Sequence, residues 1–428
     1  MLEPSLETIP RPLSDLAREI ATRLGGEGHR AWLVGGAVRD LCLGRVPKDL
    51  DIASSATPEV IERLWPRSLG VGRAFGTMVV HDQRGSIEVT TFRSERGYSD
   101  GRRPDEVRYG ASLEEDAARR DFTCNALYLD PLDGTLEDPM GGVEDLRAGR
   151  LRAVGDAQAR LAEDGLRLLR MARFVGQLEL EPASDLRAAA RSEAGRLASI
   201  AGERVLQELT RMFDNPGSAR SIDVLLGCGL LAGRFTAWQD AGTIASSEAA
   251  TRALPPAPGV AAALASFFPS GALADRAHAA RVDLDALRPP RELLRQVLRL
   301  NGVERELGPS PSRAASLRFL RDVEDDRAVE AYTAGAVVRG AVGADWRERL
   351  LALAQSVAPS ARRPAPLLDG EDLAATNLPR GPLWGRILEE LEEAQLEGQV
   401  VDHDGARRWL DERVRAFSSE ERPGAGGD

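Results

Sequence analysis

Hydrophobic positions recur with two different periods along this chain, and the switch between them divides it. Over roughly the first 155 residues short apolar runs mix with helical stretches. AWLV, Ala31 to Val34, reads as a strand running into Gly35-Gly36, followed by a short amphipathic helix from near Ala37 and by DLDIAS, a second strand. FGTMVVHD and SIEVTTFR, separated by Gln83-Arg84-Gly85, read as an antiparallel hairpin. After Val154 the pattern becomes almost entirely helical. Periodic Leu, Ala and Arg run from Ala157 through Gly176, and Glu203 to Phe213 is a strong helix ended by Asp214-Asn215-Pro216. A Pro-, Gly- and Ala-rich interval from about Ala237 to Gly259 reads as a boundary or long loop, and a second from Ser356 to Pro366 precedes a last helical unit. The tail from Ser418 has the composition of a disordered end.

At 428 residues the chain exceeds one ordinary core and is expected to form two to four domains. Its most apolar stretch, Ala253 to Phe268, is interrupted by Pro255, Pro256 and Pro258 and is too short to span a bilayer, so no membrane partner is expected. The acidic N-terminus lacks the pattern of a secretion signal, and a cytoplasmic location follows as the expectation. Cys42, Cys124 and Cys228 lie far apart in apolar surroundings and read as buried thiols. A net charge of −11 excludes a protein that coats nucleic acid non-specifically, but arginines cluster locally at Arg102-Arg103, Arg119-Arg120 and Arg167, Arg170 and Arg173. Lys48 is the only lysine, and it adjoins Asp49.

Asp49 and Asp51 are separated by one residue. On a strand, that spacing points both carboxylates to one face while Leu50 and Ile52 face the core. Hard oxygen ligands of this kind suit Mg²⁺. Gly35 and Gly36 lack the Cβ that would keep backbone N–H groups from a phosphate, and Arg39 adds charge one turn in. A third carboxylate is expected on a neighbouring strand, and Glu88 is the candidate, on the face of Thr90; its other reading is an exposed cross-strand partner. Asp121 and Asn125, four apart, read equally well as ligands of a sugar hydroxyl or as an N-cap and a buried structural amide. Asp164, Arg167, Arg170 and Arg173 recur every three residues, forming a polar ridge on an apolar helix. A carboxylate beside a guanidinium can read the amine and ring nitrogen of cytosine or adenine and repel the carbonyl of uracil or guanine; the alternative is a salt bridge on a solvated helix face.

VGGAVRDLCLG with DLD, EVTTFR, RRDFTCNAL, EDGLRLLRMARF and GERVLQEL together resemble the class II tRNA nucleotidyltransferases, the CCA-adding enzymes, with bacterial poly(A) polymerases as close relatives. The resemblance covers about the first half of the chain, with a weaker echo in the C-terminal LLDGEDLAATNLPRGPLWGRILEELEEAQLEGQV. It implies an α+β fold: a polymerase-β-like nucleotidyltransferase head over residues 1–155, then an all-helical neck (156–236), body (237–355) and tail (356–428). It also implies that Gly36 and Arg39 bind the triphosphate, that Asp49 and Asp51 ligate Mg²⁺ with Glu88 as third carboxylate, and that Arg120 and Asp121 serve the nucleotide's phosphate and ribose. Asp164 and Arg167 would template C and A, supported by Arg170 and Arg173, and Ser94 to Ser112 would form a flexible loop linked to adding the final A. The implied partners are the tRNA 3′ end, CTP and ATP, not DNA. Some relatives carry an appended His-Asp phosphohydrolase domain, which His29, His81, His278 and His403 are too scattered to build. Within the same chemistry, CC-only addition, A-only addition and poly(A) synthesis are the alternatives; a small-molecule nucleotidyltransferase would share the head alone, and an RNA-binding module would lack the carboxylates.

Overall fold

A computed structural model describes residues 4–73, 76–96, 106–307, 311–376 and 378–420. The chain divides into two compact units, Met1–Trp238 and Gln239–Asp428. Residues 97–105 of the loop expected from Ser94 to Ser112 lie outside the described residues, as does the tail beyond Glu420.

In the first unit, α1 (Arg11–Gly26) precedes β1 (Ala31–Val34), α2 (Gly36–Cys42), β2 (Asp51–Ser54) and α3 (Pro58–Leu64). Then come β3 (Leu69–Gly72), β4 (Thr77–Asp82), β5 (Gly85–Thr91), β6 (Arg93–Arg96), β7 (Glu106–Tyr109), α4 (Leu113–Ala118), β8 (Tyr128–Leu129), β9 (Leu136–Glu137) and α5 (Gly142–Arg147). Seven strands form one sheet in the order β3-β4-β5-β2-β1-β8-β9. The expected hairpin is present as β4 and β5, paired from Thr77↔Thr90 to Asp82↔Gly85. Alternation explains its orientation: Ile87, Val89 and Thr91 are buried while Glu88 is exposed. The pairing that matters most for chemistry is β2 with β5, parallel, with Asp51 opposite Glu88 and Ile52 opposite Val89. On the inner side Trp32, Val34, Ala53, Phe92, Ala126 and Tyr128 form part of the core.

β10 (Arg150–Leu151) leads to α6 (Ala157–Glu163), α7 (Leu166–Leu178), β11 (Glu181–Pro182), α8 (Ser184–Glu193) and α9 (Gly202–Phe213). Three sequence expectations need correction. The stretch from Ala157 to Gly176 is two helices, because Asp164 leaves helical geometry at φ −143° and ψ 107° and caps α6 instead of joining α7. The pattern after Val154 also includes a strand, β11, parallel to β10. The interval from Ala237 to Gly259 does hold the boundary between the two units, but it is not a long loop: it contains a helix, Ala241–Arg252, started by the Asp240 side chain accepting from the Thr243 N–H.

α7 packs closely on the helix Ser218–Gly227: a Cβ on Gly176 would lie 2.5 Å from the Gly217 carbonyl oxygen, so only glycine permits this approach. On its other side α7 meets α9 through Arg173, whose Nε donates to Glu208 Oε2 at 2.7 Å, both side chains being over 90 % buried. Glu208→Ala leaves the Arg173 guanidinium buried without its partner, at an expected cost of about 3–5 kcal/mol. A fall of several degrees in the thermal midpoint checks this.

The second unit is helical throughout its described residues, ending in Pro382–Leu396 and His403–Glu420. Ser418 to Glu420, expected to belong to a disordered tail, continue the last helix. Leu368, Leu373, Ile387, Leu391, Val400 and Leu410 close a C-terminal core. No helix among the described residues is long and apolar enough to cross a membrane. The three cysteines are free and buried, and burial pushes the Cys42 thiol up to about 11, which makes it inert at neutral pH.

Candidate active site

β1 ends at Gly35, which caps α2 with φ 69° and ψ −130°, a region that residues with a Cβ avoid. A Cβ at Gly35 would also come within 3.3 Å of Arg120 Nη1. At Gly36 the nearest group to a built Cβ is Arg39 Nη2 at 3.5 Å, an ordinary contact, so the fold does not itself demand this glycine. Gly35→Ala is therefore expected to lower the thermal midpoint and weaken nucleotide binding together. Gly36→Ala should keep its melting temperature and lose nucleotide affinity, because only an approaching phosphate needs that space. Parallel melting and CTP-binding curves separate the two.

Asp51 and Glu88 stand on neighbouring strands, in register and exposed on the same side. Leu50 and Ile52 are buried, as expected. Asp49 is not on the strand: it sits in the bend before β2, exposed, with Lys48 exposed beside it. Asp51 is pushed up to about 6, first by desolvation from the surrounding protein, then by the negative charge of Glu88, with Asp49 adding to it and the Arg120 cation opposing. That is the signature of carboxylates gathered without enough positive charge. A hard divalent cation would supply it. Among the described residues no three acidic, histidine or cysteine side chains converge to hold a metal by themselves. Two carboxylates on one ion, with substrate phosphates and water completing the shell, is nevertheless the way Mg²⁺ is commonly bound.

Arg39 turns inward. Its guanidinium is buried, donating from Nη1 to Asn125 Oδ1 at 2.7 Å and from Nη2 to Asp40 Oδ1 at 2.7 Å. It fastens α2 to the 3₁₀ turn Thr123–Asn125 and leaves little of itself for a phosphate. Asp121 is likewise consumed. Its Oδ1 accepts from the Phe122 N–H at 2.8 Å and from Asn125 Nδ2 at 3.1 Å, and its Oδ2 from Arg170 Nε at 2.7 Å. Arg170 and its hydrogen bonds hold the Asp121 carboxyl far below the usual range against the cost of burial. Asp121 and Asn125 thus belong to a buried amide and carboxylate network. Phe174 forms its floor, with the guanidinium carbons of Arg39, Arg170 and Arg173 at 5.3, 5.3 and 4.1 Å from the ring centre and Phe122 edge-on at 5.8 Å.

The expected ridge is broken at its first member. Asp164 precedes α7 and faces Arg204 of α9, whose Nη2 donates to Oδ2 at 2.7 Å, while the Leu166 N–H bonds Oδ1 at 2.9 Å. Arg167 is buried, donating to Glu163, to the Arg160 carbonyl at 2.7 Å and to the Arg119 carbonyl at 3.2 Å. Asp164 and Arg167 are therefore each fixed by a partner other than the other. The carboxylate keeps spare acceptor capacity on Oδ2, since an ionised carboxylate offers about four lone-pair sites. Sequence reasoning missed Arg204, Glu163, Glu208 and Phe174; Arg204 stands in GERVLQEL, where its unlikeness to the apolar and acidic residues around it was the available signal.

A family model described as the poly A polymerase head domain matches residues 31–152, and one described as the probable RNA and SrmB- binding site of polymerase A matches residues 179–238. The solved structure of the Bacillus stearothermophilus CCA-adding enzyme in complex with CTP superposes with a TM-score of 0.74 and 31 % identity, over 96 % of this chain and 100 % of that one. The chain belongs to the family of CCA-adding enzymes and poly(A) polymerases. Among curated members of the family, the CCA-adding enzyme of Geobacillus thermodenitrificans is 43 % identical over 220 residues, 51 % of this chain. That of Leuconostoc mesenteroides is 43 % identical over 218 residues. These alignments span about half the length of each relative, 54 % in both cases. The Thermotoga maritima CCA-adding enzyme complexed with tRNA shares the family fold, with a TM-score of 0.64 at 20 % identity and 93 % of this chain covered.

Proposed function

We propose that this protein adds C, C and A to the 3′ end of tRNA in the cytoplasm, using CTP and ATP without a nucleic-acid template and releasing pyrophosphate. The observation that carries this reading is the likeness, over 96 % of the chain at 31 % identity, to a CCA-adding enzyme holding CTP. The register pairing of Asp51 with Glu88 beside the Gly35 turn supports it chemically.

Residues 1–155 are the catalytic head, 156–236 a neck that reads the base, 237–355 a body and 356–428 a tail that meets tRNA. Asp49 and Asp51 would hold Mg²⁺, which supplies Lewis-acid stabilisation of the oxygens at the reacting phosphorus. Gly35 and Gly36 let the start of α2 close on the triphosphate, and Arg120 adds its charge there. Glu88 polarises the RNA 3′-hydroxyl. The hydroxyl oxygen forms the new bond to the α-phosphorus as its proton passes to the Glu88 carboxylate and on to water, the bond to the β-phosphate oxygen breaks, and pyrophosphate carries that electron pair away. Asp164 accepts from the exocyclic amine of cytosine or adenine, and Arg167 donates to the adjacent ring nitrogen. Arg39, Asp121, Asn125, Arg170 and Arg173 hold these groups in place through the network around Phe174.

Pyrophosphate release tests the reading. With Mg²⁺ and tRNA ending at the discriminator base, CTP alone should release two pyrophosphates per tRNA, ATP alone none, and both together three. Release with ATP alone, continuing without limit, would identify a poly(A) polymerase instead.

A further inference from the structure

Asp116, in the last part of α4, is fully buried, yet no substrate-facing role accounts for it. Its Oδ1 accepts from Arg119 Nε at 2.9 Å and Nη2 at 2.6 Å, and its Oδ2 from the Tyr128 hydroxyl at 2.7 Å and Arg120 Nη2 at 3.2 Å. Tyr128, also fully buried, in turn accepts from Arg120 Nε at 3.0 Å. The Asn125 carbonyl accepts from Arg120 Nη1 at 3.2 Å. These three bonds use one N–H on each nitrogen of Arg120. A guanidinium has five, so two remain, and Nη1 lies against the Gly35 turn. Its guanidinium therefore bears on the glycine turn, and its orientation comes from Asp116 and Tyr128.

We infer that Asp116 and Tyr128 are positioning residues, which act through Arg120 by presenting its unbonded edge to the phosphates of the incoming nucleotide. The inference rests on the proposed role of Arg120 at those phosphates. Two geometric facts carry it. The hydroxyl of Tyr128 bridges Asp116 and Arg120, so the arginine is held at Nε and Nη2 by one continuous hydrogen-bonded unit that leaves no freedom of rotation. Arg119, held by the same Asp116, accepts at its carbonyl from Arg167, so the base-facing arginine is anchored to the residue that directly precedes the phosphate-facing one. A loose Arg120 would meet the triphosphate only after paying an ordering cost that this unit removes in advance.

The test is a double-mutant cycle on the full chain, reading the dissociation constants of CTP and of pyrophosphate in Mg²⁺ by calorimetry for wild type, Tyr128→Phe, Arg120→Ala and the double variant. Tyr128→Phe removes one hydroxyl and keeps the ring in the core. The expected result is that it weakens CTP and pyrophosphate about tenfold in the wild-type background, the scale of one hydrogen bond to a charged group, and has no effect when Arg120 is already absent. Asp116→Asn should repeat that pattern, with KM for tRNA unchanged in both. Equal weakening by Tyr128→Phe in both backgrounds would reveal a general packing defect and overturn the inference, as would wild-type affinity in Tyr128→Phe. Wild-type affinity in Arg120→Ala would instead overturn the role of Arg120 itself.

Discussion

Asp51→Asn is expected to lower nucleotide addition by about a thousandfold or more, since losing a metal-binding carboxylate forfeits several kcal/mol of transition-state stabilisation. The same substitution should make the metal-free protein more stable at neutral pH. Asp51 titrates at about 6 in the folded chain, against 3.8 ordinarily, because desolvation and the charges of Glu88 and Asp49 oppose its ionisation. The folded state thus holds that proton more tightly than the unfolded state. The stability that this proton supports is lost as pH rises from about 4 through about 6 and is absent above that. Asparagine carries no charge to repel. The variant's thermal midpoint should therefore exceed wild type above pH 6 in chelator, and the difference should fade below pH 4. Adding Mg²⁺ should raise the wild-type midpoint and leave the variant's nearly unmoved, because only a group that binds the ion gains from it. A variant that is inactive but also less stable at pH 7.5 in chelator would mean that Asp51 serves the fold and not a cation.

Asp164→Ala should reduce incorporation of both C and A by about a hundredfold and erase discrimination against U and G, because the base then loses its acceptor and the site loses its repulsive element. Asp164→Asn is the sharper variant. Its amide keeps the shape but can turn an N–H toward O4 of uracil, so UTP use should rise relative to CTP. Single-turnover incorporation of each of the four nucleotides onto tRNA ending at the discriminator base measures this. Unchanged ratios in Asp164→Asn would place base selection elsewhere. Both variants should keep their fold, because the Arg204 guanidinium is partly exposed and solvent can replace the missing carboxylate.

The features of the site that are local in sequence were legible. Gly35-Gly36 between a strand and a helix, and the strand alternation that exposes Glu88, follow from backbone geometry within a few residues. The pairing of Asp51 with Glu88 depends on a parallel register between strands 37 residues apart, which spacing alone does not dictate. The three-residue periodicity from Asp164 to Arg173 ran through a real break in the chain at Asp164, whose ion-pair partner, Arg204, stands 40 residues on. The charges of Arg39 and Asp121 were legible, but their partners, Asn125 and Arg170, are connected to them by no local pattern. Asp116 was hidden among Glu114 and Glu115, which share its charge but not its burial.

The most direct measurement is extension of tRNA transcripts ending at the discriminator base, at C and at CC, with Mg²⁺ and CTP and ATP separately and together, resolved at single-nucleotide length. The expected result is completion to CCA from every start, arrest at CC when ATP is withheld, and no growth past the terminal A. Addition that halts at CC with both nucleotides present, A added only to the CC transcript, unlimited A tails, or no addition at all would each contradict a full CCA-adding activity.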